Sequence, residues 1–348
     1  MKERVRVLVV DDSVFARNAI TKSLETDSDI EVVGVASDGI NAIEQVKALK
    51  PDVVTLDVSM PRMDGMEALD RIMSECPTPI VMLSALTGEN THATLEALEK
   101  GAVDFFLKAS ALTPAGSDGQ SSELIVKVKI AAKVPIANLM AASKTKLAQA
   151  GNRKVKVSST ARRKILVIGS STGGPRALAE LMPQLPANLP AAILMVQHMP
   201  AEFTRTLAER LDRTCELEIR EAKRGDSVEY GTALMAPGGY HMVVKKTGAI
   251  DLNQGPRVCG VRPSADVLMK SVAEQYGNIS LGVILTGMGS DGTEGSRQIR
   301  LVGGKVAAEH ESSCAVYGMP RSVIESGNAD TVAPISGLAD EIIRLCNE

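Results

Sequence analysis

Ser171 sits in Gly169-Ser170-Ser171-Thr172-Gly173, a G-x-S-x-G frame that follows the apolar run 165–168. Glycines there permit a sharp turn that holds a serine hydroxyl clear of a strand end, as an acyl-transfer nucleophile requires. The frame selects Ser171 over Ser170. Such a serine needs a base, and the base needs a carboxylate to orient it. His198 follows the apolar run 191–196, and Asp291 follows the run 279–285. Helical spacing comes after each run, at 176–181, 202–211 and 293–300. In a parallel sheet the carboxyl ends of the strands share one rim, so residues far apart in sequence can meet there. His198 would take the Ser171 proton and return one to the leaving group. Asp291 would fix the imidazole tautomer and stabilise its cation. Backbone N–H groups after Ser171 or in 287–289 would receive the oxyanion. The chain order Ser–His–Asp differs from the Ser–Asp–His of α/β-hydrolases, which argues against that fold.

Simpler readings stand beside this one. Glycine and serine also build ordinary strand-to-helix turns and phosphate loops. A histidine after a strand is often structural, and His92, His241 and His310 are present as well. The sharpest rival is Gly287-Met288-Gly289-Ser290-Asp291-Gly292, a G-x-G-x-x-G match between a strand and a helix, with Glu309 after the next apolar run, 305–308. Asp291 would place a carboxylate where a pyrophosphate should lie, and the match explains neither Ser171 nor His198. No lysine follows Gly174, so a P-loop is not matched.

A second constellation occupies the first part of the chain. Asp11, Asp12, Asp57, Ser84 and Lys108 each follow a short run of strand length, with helical spacing between the runs. Five such alternations predict a parallel sheet wound with helices. Carboxylates converging on its rim repel one another unless a cation joins them, and an oxygen-only set suits Mg²⁺. A lysine and a hydroxyl beside that cation are what a transferred phosphoryl group needs. Asp57 would be the nucleophile that forms an acyl phosphate. Taken singly, Asp11 or Asp12 also reads as a helix cap.

The stretches VVDDS, TLDVSMPRMDG, LSA and GAVDFFLK resemble a response-regulator receiver domain. The resemblance implies that Asp11 and Asp12 hold the metal with Asp57, that Asp57 accepts phosphate, that Ser84 senses it and that Lys108 pairs with it. Phe105 takes the place of the mobile aromatic. Ala109 stands where the family usually has proline. From Arg162 onward, IGSSTGGP, VQHMP, APGGYHM and ILTGMGSDG resemble the catalytic domain of the chemotaxis methylesterases. That resemblance implies Ser171 as nucleophile, His198 as base, Asp291 as the third member, and Thr172 and the Met288 backbone near the oxyanion. It further implies hydrolysis of glutamate γ-methyl esters, and of specific glutamine amides, on the cytoplasmic domains of chemoreceptors. A chemotaxis histidine kinase would be the phosphodonor, and the hydrolase chemistry would need no cofactor. Ser170 stands where that family commonly has alanine.

The remaining features set the frame. At 348 residues two domains are expected. The fold class is α/β: two doubly wound parallel-sheet domains, a flavodoxin-like receiver over 1–133 and a Rossmann-like catalytic domain over 162–348. The linker 134–161 carries Lys144, Lys146, Arg153, Lys154 and Lys156, with Arg162, Arg163 and Lys164 after it, and reads as a solvated basic segment. A net charge of −3 gives no strongly basic face in total, and aromatics at 2% with no tryptophan argue against a single-strand nucleic-acid platform. The five scattered cysteines show no metal spacing and suit a reducing compartment. With no signal-peptide pattern and no run near the ~20 apolar residues of a membrane span, a cytoplasmic location without membrane insertion is expected. The alternatives are a receiver fused to a nucleotide-binding or transcriptional output module.

Overall fold

The structure is a computed structural model that describes residues 4–85, 88–108, 118–138 and 163–348. It divides into two units, Met1–Lys146 and Leu147–Glu348.

The first unit alternates β1 (Val5–Val10), α1 (Val14–Leu24), β2 (Ile30–Ala36), α2 (Gly39–Leu49), β3 (Val53–Asp57), α3 (Gly65–Glu75), β4 (Ile80–Ser84), α4 (Gly88–Glu99), β5 (Asp104–Leu107) and α5 (Asp118–Ala131). The sheet order is β2-β1-β3-β4-β5 with every pair parallel, the flavodoxin-like order. Val7–Val10 and the apolar residues of β3 and β4 are fully buried, which is why these strands read as unbroken apolar runs. Three helices start where a side chain caps them. Ser13, Asp38 and Asp64 accept from the backbone N–H of Ala16, Asn41 and Glu67. The caps are therefore not Asp11 or Asp12, and the strand-end acids are left for other work. The Asp64 cap also starts α3 at Gly65 rather than at Met63, where helical spacing begins.

The second unit runs β6 (Lys164–Ser170), α6 (Gly174–Leu181), β7 (Ala191–Gln197), α7 (Ala201–Asp212), β8 (Glu218–Glu221), β9 (Thr232–Met235), β10 (His241–Val244), β11 (Ile250–Asn253), α8 (Ala265–Tyr276), β12 (Ser280–Ile284), α9 (Thr293–Leu301), β13 (Lys305–Glu309), α10 (Met319–Glu325), β14 (Thr331–Ala333) and α11 (Ile335–Asn347). Its sheet order is β14-β13-β12-β6-β7-β9-β8, again wholly parallel. The three strands expected to carry Ser171, His198 and Asp291 are neighbours at the centre of this sheet, in the order β12-β6-β7. Segments that patterning leaves unassigned supply β8 and β9 at one edge, the antiparallel hairpin β10–β11, and α8. Among the described residues no helix is long and apolar enough to cross a membrane.

Candidate active site

The turn after β6 is tied from both sides. Ser171 N–H donates to Thr286 O at 3.1 Å, and Gly174 N–H donates to Ser171 O at 2.8 Å. Gly173 has φ +78, and a Cβ there would lie 2.5 Å from Ala315 Cβ, so conformation and space both demand glycine. Gln197, the last residue of β7, donates from Nε2 to Ser171 O at 2.9 Å and accepts at Oε1 from Ser170 Oγ at 2.7 Å. The two serines thus differ in kind. Ser170 is fully buried and bonded to the neighbouring strand, whereas Ser171 is partly exposed and its hydroxyl bonds to no described group.

His198 follows β7 directly, and its N–H donates to Ser170 O at 3.1 Å across the adjacent strand end. Its ring Nε2 lies 2.8 Å from Asp291 Oδ2. Asp291 is 2% exposed and accepts three further bonds: Ser264 Oγ to Oδ1 at 2.6 Å, Ala265 N to Oδ2 at 2.6 Å and Asp266 N to Oδ1 at 3.1 Å. The carboxylate therefore sits on the N-terminus of α8, where orphan N–H groups and the helix dipole favour an anion. Burial alone would raise its pKa. The bonds from His198, Ser264 and Ala265 outweigh burial and hold it below the usual carboxylate range. Asp266 repeats the arrangement one helix further on. Its Oδ1 accepts from Gly292 N at 2.9 Å and Gly295 N at 2.6 Å, at the start of α9. Burial pushes the Asp266 pKa up, and the neighbouring Asp291 adds to the rise.

The loop 286–289 packs against the serine. A Cβ on Gly287 would lie 2.8 Å from Ser171 Cβ. Thr286 Oγ1 donates to Thr172 O at 3.0 Å and accepts from Val316 N at 2.9 Å, joining three loops at one hydroxyl. Met288 is 45% exposed, and its backbone N–H follows the Gly287 unit pinned by Val316, Gly318 and Met319. The structure thus brings His198 to Asp291 and packs Gly287, the residue before Met288, against Ser171. It does not bring Ser171 Oγ into hydrogen bonding with His198.

The dinucleotide alternative fails on two groups. Asp291 is consumed by His198 and α8, and Glu309 is 1% exposed and bonded to Thr286 N, so it faces no ribose site. Ser264, Asp266, Gln197 and Thr286 are the supporting residues that sequence reasoning passed over. Ser264 alone had a sequence signal, a serine immediately before the helical spacing of α8.

In the first unit Lys108 Nζ bridges Asp11 Oδ2 at 2.8 Å and Asp57 Oδ2 at 2.6 Å. Asp11 is fully buried and Asp57 is 3% exposed. Burial pushes the Asp57 pKa up to about 6, Lys108 pulls it down, and Asp11 pushes it up again. Ligand oxygens of Asp11, Asp12 and Asp57 lie within 4.8 Å of one another. Asp11 Oδ2 is buried with no aligned hydrogen bond beyond its ion pair with Lys108, so this oxygen-only set has capacity for a small hard cation. Cys259, Asp266 and Asp291 also come within 4.8 Å, but both of those carboxylates already accept from N–H donors. Ser84 is fully buried; its Oγ accepts from Thr94 Oγ1 at 2.8 Å and donates to Ala85 O at 3.2 Å. Phe105 is buried, with Lys127 Nζ 5.1 Å from its ring centroid. Ala109 and the basic residues from Lys144 to Arg162 lie outside the described residues.

Comparison with known proteins covers both units. Residues 166–342 match the model of the CheB methylesterase family, and residues 7–113 match that of the response regulator receiver domain. A protein-glutamate methylesterase/protein-glutamine glutaminase of Symbiobacterium thermophilum is 47% identical, over 99% of this chain and 98% of its own. One of the same description from Pyrococcus abyssi is 45% identical, over 98% of this chain and 93% of its own. The crystal structure of the Thermotoga maritima CheB methylesterase catalytic domain is 46% identical with a TM-score of 0.51, covering 52% of this chain and 98% of that one. With its catalytic unit matched across half its length and its relatives matched end to end, the chain belongs to the CheB methylesterase family and carries a response regulator receiver domain.

Proposed function

We propose that this chain hydrolyses glutamate γ-methyl esters, and specific glutamine amides, on the cytoplasmic domains of chemoreceptors, with Ser171, His198 and Asp291 as the catalytic residues. The observation that carries this reading is the His198–Asp291 pair, 2.8 Å apart on the rim that Ser171 shares. With Nε2 on the carboxylate, Nδ1 is the nitrogen left to take the serine proton. This mechanism requires the unbonded Ser171 hydroxyl to meet that nitrogen when substrate binds. Ser171 Oγ adds to the ester carbonyl while its proton passes to His198. The oxyanion draws on N–H groups beside Thr172 and Met288. Methanol leaves with the His198 proton, and water, deprotonated by the same ring, frees the glutamate. An amide follows the same course and releases ammonia.

The receiver supplies regulation in this reading. Asp57 accepts phosphate from a chemotaxis histidine kinase, Lys108 pairs with the phosphoryl oxygens, and Ser84 and Phe105 respond. Asp11, Asp12 and Asp57 would hold Mg²⁺, which when bound offsets phosphoryl charge. The domains are 1–133 and 162–348 with 134–161 as linker, and the protein works in the cytoplasm. The test is methanol release from methylated receptor, with and without a small phosphodonor. Ser171→Ala should lose at least about 10³-fold. Asp57→Asn should keep the basal rate and lose stimulation by the phosphodonor. Undiminished release by Ser171→Ala refutes the reading.

A further inference from the structure

Glu309 is a buried carboxyl group for which the mechanism above has no use. It ends β13, next to the strand that leads into the loop 286–289, and is 1% exposed. Oε2 accepts from Thr286 N at 2.8 Å, and Oε1 accepts from Ser313 Oγ at 2.8 Å. Ser313 Oγ in turn accepts from Ile335 N at 3.0 Å, so one end of this link is fastened to the start of α11. The other end is Thr286. Its carbonyl receives Ser171 N at 3.1 Å, and its hydroxyl bridges Thr172 O and Val316 N. Gly287 and Met288 follow it in the chain. A side chain that fixes Thr286 N therefore fixes the serine turn and the Met288 N–H together.

We propose that Glu309 is a positioning residue for the hydrolase: by holding Thr286 N–H it sets the distance between Ser171 and the Met288 N–H. This assignment rests on the serine-hydrolase reading above. What counts is the reach of the side chain to Thr286, not its charge. Burial pushes the Glu309 pKa up to about 7; the Thr286 and Ser313 bonds and Arg176 oppose the rise, and Glu180 adds to it. Both the neutral and the charged form are thus populated near neutral pH, and the site accommodates each. A protonated Oε1 can donate to Ser313 Oγ while that hydroxyl donates to His310 O, 3.3 Å away.

Reach and charge are separated by two near-isosteric substitutions in the full-length chain. Glu309→Gln keeps the reach and removes the charge. Glu309→Asp keeps the charge and withdraws the acceptor by one methylene. Methanol release from methylated receptor is measured at saturating substrate, per Ser171 titrated with a serine-reactive phosphonate, with thermal unfolding alongside. Glu309→Asp should lower kcat about tenfold or more with KM unchanged, the cost of leaving the buried Thr286 N–H without its acceptor. Glu309→Gln should stay within about threefold of wild type. A merely structural role would lower Tm and the titrated fraction but leave kcat per site unchanged. Wild-type kcat in Glu309→Asp, or a fall in Glu309→Gln as deep as in Glu309→Asp, overturns the proposal. Ser171→Ala in the same assay separates the two readings, because its retention of activity defeats the hydrolase reading itself.

Discussion

Asp291→Asn tests the electrostatics of the site, and the structure sets its size. The carboxylate has four donors shared between two oxygens. Oδ2 receives His198 Nε2 and Ala265 N, and Oδ1 receives Ser264 Oγ and Asp266 N. An asparagine must turn its NH₂ toward one of these pairs. Toward Oδ2's donors it would confront the Ala265 N–H at 2.6 Å. Toward Oδ1's donors it meets a serine hydroxyl that can rotate to accept, and orphans only Asp266 N, the longest bond of the set at 3.1 Å. The second orientation costs less, and in it the amide oxygen still accepts from His198. The imidazole tautomer therefore survives, and what is lost is the negative charge opposite the imidazolium. Two unit charges about 4 Å apart at an effective dielectric of about 20 interact by about 4 kcal/mol. The N-terminus of α8, equivalent to about half a positive charge, already offsets part of that field. A transition-state loss of about 2–4 kcal/mol follows, or about 30-fold to 10³-fold in kcat. That is less than the ~10⁴ seen when the same substitution in a serine protease also forces the wrong tautomer. One orphaned buried N–H should cost about 1–3 kcal/mol of stability. The assay is kcat for methanol release at saturating substrate, with ¹⁵N NMR of the His198 ring to read the protonated nitrogen. A kcat within twofold of wild type refutes the coupling of Asp291 to catalysis. A shift of the proton from Nε2 to Nδ1 refutes the orientation argument.

Two other outcomes follow from buried polar groups. Ser170→Ala removes the donor to Gln197 Oε1, which should lower stability by about 1 kcal/mol while methanol release stays within about threefold. A hundredfold loss of activity would mean that the serine turn depends on Ser170. Glu309 gives a stability difference whose sign is fixed. Its folded pKa of about 7 lies above the ordinary value of 4.5, so between those values the native state binds more protons than the unfolded chain. Wild-type stability must therefore fall relative to Glu309→Gln as pH rises through that window. The gap should change by about 3 kcal/mol in all, read from urea midpoints at pH 4, 6 and 8. A constant gap between the two proteins contradicts the raised pKa.

The candidate residues were legible because chemistry restricts residue type, and strand ends restrict position. The runs before Ser171, His198 and Asp291 are buried on both faces of a parallel sheet, so they stand out as unbroken apolar segments. The residues that hold them in place were not legible. Asp266 and Gln197 act through hydrogen bonds to N–H groups and amides far away in sequence, and no local spacing records such a bond. β8, at the sheet edge, and β9 beside it are four-residue strands of mixed burial, too short for periodicity to separate strand from loop. In the receiver the acids and the lysine were readable as a set. The inward packing of Phe105 under Lys127, by contrast, depends on α5, whose sequence pattern says nothing about that contact.

The sense of the imidazole ring follows from where the chain places its ends. His198 leaves β7 with its N–H fastened to Ser170 O, so its Cα is held close to the neighbouring strand end that carries Ser171. Nδ1 is the ring nitrogen nearer the backbone, and Nε2 is the farther one. In the proposed mechanism a serine on the adjacent strand end therefore falls to Nδ1. Asp291 stands several residues beyond β12, on the far side of β6 from β7, and is held out from the sheet by the N-terminus of α8, so it falls to Nε2. The chymotrypsin template has the opposite sense, with the acid on Nδ1 and the serine on Nε2. Both senses give the same proton path, because neutral imidazole donates from one nitrogen and accepts at the other. Strand order β12-β6-β7, with Ser171 on the middle strand, is thus enough to place the proposed nucleophile, base and acid in the chain order Ser–His–Asp, which differs from the Ser–Asp–His of the α/β-hydrolases.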